Sequence, residues 1–333
     1  MINPVYNPSP SRYNTNLDYK RCGKSGVLLP SISLGFWQNF GDEAPLSRSM
    51  EIAHYAFDNG VTHFDLANNY GPSYGSAEET FGAIMRKSFA PYRDEMFIST
   101  KAGYDMWPGP YGNWGSRKYL MASLDQSLRR MNLDYVDLFY SHRYDPETPL
   151  EETMQALVDI VRQGKALYVG ISKYPFEQAQ AAYNYLAAHD VKCLVYQGRY
   201  NMLDRGVETE GILRQAAANG VGFTAFSPLD QGLLTNRYLN GIPADSRMHR
   251  NKSLTEEMLT PELLGKLRAL NDIAAARNQS LAQMAISWLI GKEDVTSVIV
   301  GASSVAQLAD TLRATENVGF SPSETDAIHS VIG

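Results

Sequence analysis

Three observations predict an α/β chain folded as a single (β/α)8 TIM barrel with long loops at its C-terminal face. Eight short apolar, β-branched runs recur along the 333 residues. Stretches of helical periodicity lie between them, and the turn after the first run is not the Gly-rich fingerprint of an open dinucleotide-binding sheet.

In chain order the runs are SISLGF from Ser31, THFDLA from Thr62, MFISTKAG from Met96, YVDLFYSH from Tyr135, ALYVGIS from Ala166, CLVYQ from Cys193, VGFTAFSP from Val221 and TSVIVGA from Thr296. The segments SMEIAHYAFDNG, YLMASLDQSLRRMN, LEETMQALVDIVRQG and TEGILRQAAANG carry apolar residues at helical spacing, and several stop at Gly or Asn, as helices do. A strand paired parallel to its neighbour needs a crossover long enough to hold a helix, so this alternation means parallel pairing, and eight such units favour a closed barrel. A doubly wound open sheet is the competing architecture, but LGFWQNFG lacks its glycine pattern, and GKS from Gly23 fails as a phosphate loop because Asp18 stands where the first glycine belongs.

Residues 1–17, rich in proline and asparagine, are expected to form an arm with little regular structure, and 18–333 the barrel. Three segments exceed minimal barrel loops: Gly103 to Gly115, with Trp107 and Trp114; Leu229 to Pro261; and the tail from Ser321. Gly35, Gly71 and Gly82 are expected to serve backbone geometry.

A hydrophobic fraction of 44% and a charged fraction of 20% describe a globular chain, and a net charge of -6 offers no footprint for nucleic acid. The first residues lack the basic start and apolar run of a leader, and no segment reaches the roughly 18 apolar residues of a membrane span, so a cytoplasmic protein without membrane partners is expected. Only Cys22 and Cys193 occur, so no disulfide framework is written and no Cys/His cluster has zinc spacing, and Cys193 reads as a small buried hydrophobe.

Barrel sites are built at the C-terminal strand ends, so a polar residue closing an apolar run carries weight. Asp65, Lys101 and His142 close three successive runs, and Tyr70 follows on the loop after the first of them. A tyrosine titrates near 10. The Lys101 ammonium is expected to stabilise its phenolate, Asp65 to hold that ammonium, and His142 to orient a carbonyl oxygen. Singly, each has an ordinary reading as core histidine, structural ion pair or one of 20 tyrosines. Together they suit carbonyl reduction, and since no side chain supplies hydride, a nicotinamide cofactor is implied.

HFDLANNYG, STK and YVDLFYSHR resemble the Asp/Tyr, Lys and His segments of the aldo-keto reductase superfamily, and the likeness runs from about Tyr19 to Phe320. GVTHFDLANNYG followed by AEE, GYDMWPGPYG and GKALYVGIS resemble the branch that holds potassium-channel β-subunits and bacterial L-glyceraldehyde 3-phosphate reductases. The tryptophan-bearing loop and the tetrad histidine, which channel β-subunits replace with Asn, resemble the reductases more.

The resemblance implies NADPH/NADP+ as cofactor and a tetrad of Asp65, Tyr70, Lys101 and His142. It implies Trp37 near the nicotinamide, Ser172 and Gln197 on its carboxamide, and Phe226 stacked on the ring. Ser227, Leu229, Gln231 and Gly232 would follow the pyrophosphate, with Arg237 and Arg247 as phosphate ligands, and Gly301, Ser303, Gln307, Asp310 and Thr311 would surround the adenosine phosphate. Ser303 also reads as a helix N-cap, and free amides at a helix start favour an anion. No Lys or Arg stands between Gly301 and Thr311, where relatives grip the 2′-phosphate, and Asp310 and Thr311 replace the usual Glu and Asn.

The expected activity is NADPH-dependent reduction of small aldehydes such as glyceraldehyde 3-phosphate, methylglyoxal and short hydroxyaldehydes. Trp37, Tyr70, His142, Trp107 and Trp114 would face the substrate, although the two loop tryptophans could instead bury their loop against the rim. Arg117 and Arg143 could meet a substrate phosphate or form solvated pairs. By resemblance a homo-oligomer, tetrameric or larger, is expected. The rival readings are an NADPH-binding, redox-sensing regulatory subunit like the channel partners, and an aldolase using Lys101 as a Schiff base.

Overall fold

The computed structural model describes residues 6–242 and 255–333. All eight apolar runs are strands there, preceded by a hairpin that their periodicity did not predict. That hairpin is β1 (Tyr19–Arg21) paired antiparallel with β2 (Leu28–Pro30), each too short for an alternating pattern to be read. The barrel strands are β3 (Ile32–Gly35), β4 (His63–Asp65), β5 (Phe97–Ala102), β6 (Val136–Ser141), β7 (Ala166–Ser172), β8 (Cys193–Arg199), β9 (Gly222–Phe226) and β10 (Ser297–Val300). Each pairs parallel with the next, and β10 pairs with both β9 and β3, which closes the cylinder. The strands are apolar because helices cover their outer faces while side chains fill the interior.

Those helices are α1 (Leu46–Asp58), α2 (Ser76–Ile84), α3 (Arg117–Met131), α4 (Leu150–Arg162), α5 (Phe176–Ala188), α6 (Gly206–Thr209), α7 (Ile212–Ala218), α8 (Pro261–Ala276), α9 (Leu281–Ile290), α10 (Val305–Leu312) and α11 (Pro322–Ile332). The periodic stretches coincide with α1, α3, α4 and α7. The C-terminal tail corrects the expectation of a long loop. From Pro322 it is α11, started by a reciprocal cap between Ser321 and Glu324 and tied down by an Arg277–Glu324 ion pair of 2.8 Å.

The hairpin seals one end of the cylinder. Cys22 and Leu29 pack with Leu138, Tyr140, Leu194 and Val195, and Lys24 N donates to Gly220 O, just before β9. Parallel strands put all their C-terminal ends at the opposite mouth. Close packing inside demands glycine at 170, where a Cβ would lie 2.7 Å from the Tyr140 ring. Residues 6–17 form neither helix nor strand, and Tyr6 stacks on His54 at 3.8 Å and donates to Asp58 at 2.9 Å.

Candidate active site

Asp65 closes β4, Lys101 lies one residue from the end of β5, and His142 follows β6, so parallel register carries all three to the open mouth. Tyr70 reaches them on the loop after β4. That loop turns at Gly71, whose φ of 102° suits glycine and whose Cβ would meet Ser76 Oγ at 2.0 Å.

Lys101 is fully buried, and its Nζ donates to Asp65 Oδ2 at 2.6 Å, Leu66 O at 2.6 Å and Tyr70 Oη at 3.3 Å. An ammonium has three hydrogens, and all three are used. Since Tyr70 Oη accepts from lysine, its own hydrogen is left to point elsewhere. Asp65 Oδ1 in turn accepts from Ser99 Oγ at 2.8 Å and Gln197 Nε2 at 3.1 Å. Every polar contact of the buried pair is thus answered within the barrel, as a charge taken out of water requires.

The His142 ring meets the Tyr70 ring edge-on at 5.9 Å and the Tyr104 ring at 4.7 Å. Burial, with the positive charges of Lys101, Lys173 and Arg143 beside it, drives its pKa well below the usual histidine range. The imidazole is therefore neutral. Burial likewise pulls Lys101 down, while Asp65 opposes that shift. The Tyr70 phenol runs against the sequence-based expectation: burial, then Asp65 and Tyr104, raise it well above 10. In the free protein Tyr70 is a neutral phenol, because desolvation of a phenolate outweighs a lysine whose charge Asp65 already answers.

The other residues singled out in the sequence fall mostly at the same mouth. Ser172 ends β7, and its buried Oγ has no hydrogen-bond partner; Gln197 lies in β8 with its amide on Asp65. Phe226 ends β9, and Ser227 and Gln231 beyond it hold left-handed backbone at φ of 55° and 59°. Leu229 and Gly232 lie on the same segment, where Gly232 N donates to Leu229 O at 2.8 Å. Trp37 is exposed just past β3, and Arg237 is exposed on the long loop, whereas Arg247 lies outside the described residues.

After β10, Gly301 and Ser303 are exposed, and the reading of Ser303 as N-cap is corrected by one residue. Ser304 caps α10, accepting from Gln307 N at 3.2 Å. Ser303 sits outside the helix, its N and Oγ both donating to Gln307 Oε1, at 2.8 and 2.9 Å. Asp310 accepts from Gln283 at 2.7 Å, and Thr311 is buried.

The loop from Gly103 to Gly115 caps one side of the mouth. Trp107 packs on Tyr119 at 5.1 Å, while Trp114 is exposed and stacks on the Arg143 guanidinium at 3.6 Å. Arg143 also donates to Gly103 O at 2.7 Å and to Asn113 at 2.9 Å, bracing that loop. Arg117 is not at the mouth: it pairs with Asp159 across α3 and α4. Lys173 was missed, although it too follows a strand run. Its Nζ donates to Tyr104 Oη at 3.0 Å and lies 5.1 Å from the Phe226 ring centroid.

Among the described residues no His/Cys/Asp/Glu cluster could hold a metal, and no helix is long and apolar enough to cross a membrane. Comparison with known proteins accords with the geometry. The chain is 56% identical over 324 residues to L-glyceraldehyde 3-phosphate reductase of Escherichia coli (strain K12), covering 96% of this chain and 93% of that protein. It is 36% identical over 324 residues to a probable voltage-gated potassium channel subunit beta of Arabidopsis thaliana, covering 95% and 97%. The family model for the aldo/keto reductase family matches residues 31–332, and the chain is an oxidoreductase belonging to that family.

Proposed function

We propose that this protein reduces small aldehydes to alcohols with NADPH, Tyr70 donating the proton. The observation that carries the reading is the use of all three Lys101 hydrogens, one of them on Tyr70 Oη, which leaves the phenolic hydrogen free to be donated. Glyceraldehyde 3-phosphate, methylglyoxal and short hydroxyaldehydes form the substrate class. The first is supported by 56% identity to relatives named for reducing it.

The mouth fits a nicotinamide carboxamide. Ser172 Oγ is buried without a partner, and Gln197, whose Nε2 is spent on Asp65, has Oε1 left to accept. When bound, the reduced cofactor supplies the hydride. Trp37, Asp65 and Phe226 would flank its ring, and Ser227, Leu229, Gln231, Gly232, Arg237 and Arg247 would follow its phosphates. The start of α10 would take the adenosine end, with Gly301, Ser303, Gln307, Asp310 and Thr311 around it, and its free amides favour the 2′-phosphate.

In this reading the protein's own groups hold and move one proton. Neutral His142, whose buried Nδ1 has no partner in the free chain, donates a ring N–H to the aldehyde oxygen. Tyr70 delivers its proton to that oxygen as charge develops there. Lys101 and Asp65 steady the phenolate left behind. Trp114, exposed at the rim, walls the aldehyde, and Trp107, packed on Tyr119, braces the loop that carries it.

A panel of short aldehydes, followed by loss of reduced-cofactor absorbance with NADPH and NADH in parallel, tests the proposal. Steady turnover with NADPH is the expected result. A single slow oxidation of bound cofactor would instead support a redox-sensing subunit.

A further inference from the structure

The barrel interior carries an unbroken line of short polar contacts that ends on Asp65. At the hairpin end, Ser297 Oγ donates to Pro30 O at 2.6 Å, and Ser33 Oγ lies 2.6 Å from Ser297 Oγ. His63 Nδ1 lies 2.8 Å from Ser33 Oγ and its Nε2 3.0 Å from Ser99 Oγ, which reaches Asp65 Oδ1 at 2.8 Å. These side chains come from β10, β3, β4 and β5, and all are buried.

Counting hydrogens decides how the line is polarised. Its five contacts need five hydrogens, but three hydroxyls and a neutral imidazole bring only four. Burial keeps the ring neutral, with its pKa pushed down to about 4, the charges of Asp65 and Lys101 acting in opposite senses. With the ring hydrogen on Nδ1, either Ser99 turns to Nε2 and the carboxylate loses a donor, or Ser99 stays on Asp65 with no hydrogen between its Oγ and Nε2 and no donor polarising it toward the carboxylate. With it on Nε2, the ring donates to Ser99, Ser99 donates to Asp65, and the shortfall falls among neutral oxygens near Pro30. A hydrogen bond to a charged acceptor is worth about twice a neutral one, so the second arrangement wins.

We propose that His63 is a positioning residue of this site: its Nε2–H directs the Ser99 hydroxyl onto Asp65 and so holds the carboxylate that orients Lys101 against Tyr70. The inference rests on the reading of Asp65, Lys101 and Tyr70 as the reacting set. His63 touches neither substrate nor cofactor and acts only through Ser99 and Asp65.

Nitrogen-15 spectra of histidine-labelled protein read the ring form directly, with His63 assigned among the 6 histidines by its loss in His63→Gln. A neutral ring protonated at Nε2 is expected at pH 7, and an Nδ1–H ring overturns the proposal. Ser99→Ala should lower kcat roughly tenfold while leaving KM for aldehyde and cofactor affinity near wild type, and Ser99→Thr should restore kcat. His63→Gln, whose amide can face Ser99, should keep more activity than His63→Leu. If neither His63 variant folds, the Ser99 pair decides the matter. Wild-type kcat in Ser99→Ala beside an inactive Tyr70→Phe overturns the relay and leaves the reductase reading intact, whereas turnover retained in Tyr70→Phe overturns that reading itself.

Discussion

Lys101 Nζ lies 2.6 Å from Asp65 Oδ2 with both side chains buried, and the same nitrogen lies 3.3 Å from Tyr70 Oη. The pair therefore serves two ends: it answers two charges inside the barrel and fixes which way the phenol presents its hydrogen.

Removing one charge of the pair leaves the other buried without an answer. Asp65→Asn is expected to cost about 3–5 kcal/mol, read as a lower urea midpoint with an unchanged m-value, along with most of the activity. A variant as stable as wild type would show that the lysine finds another partner.

Tyr70→Phe removes the donated proton without emptying the space the ring fills. Aldehyde reduction should fall roughly 100- to 10,000-fold, the usual contribution of a general acid, while cofactor titration by fluorescence stays near wild type.

The buried histidines set an acid limit. His63 has its folded pKa pushed down by burial to about 4, and His142 is also driven well below its ordinary value of about 6.5. Below pH 6.5 the unfolded chain binds protons at these positions that the folded chain does not, down to about 4 at His63, so their contribution is full above pH 6.5 and lost as pH falls. Urea midpoints from pH 7.5 to 4.5 should decline with a slope approaching 1.4 kcal/mol per pH unit per histidine. A flat profile down to pH 5 would contradict burial of neutral rings.

Trp114 is stacked on Arg143 at the rim, whereas Trp107 is packed inward on Tyr119. Trp114→Ala should raise KM for aldehyde several-fold with little change in kcat and almost none in thermal stability, and Trp107→Ala should lower Tm by several degrees. Equal effects of the two on stability would assign both to loop packing.

Much of this arrangement was readable along the chain, and the unreadable part has a common cause. Each strand run announced itself by β-branched residues in a span of strand length, and Asp65, Lys101 and His142 by ending three of them. The hairpin of Tyr19–Arg21 with Leu28–Pro30 escaped because three-residue strands show no period. Helix α11 escaped although Ser321 and Glu324 hold the spacing of a capping box, and Ser303 was preferred to Ser304 because adjacent serines read alike until the backbone turns. Lys173 escaped because a lysine beside a strand end looks like a solvated charge until Tyr104 and Phe226 are seen against it.

Local pattern thus accounts for the element types, their parallel pairing and the identity of the groups at the mouth, since those depend on neighbours within a few residues. Barrel closure governs the rest. It joins Ser297 to Ser33, 264 positions apart, and it places Tyr70 where desolvation outweighs an adjacent lysine. Such contacts and such burial arise from strand register and packing depth, which come into being when the last strand meets the first.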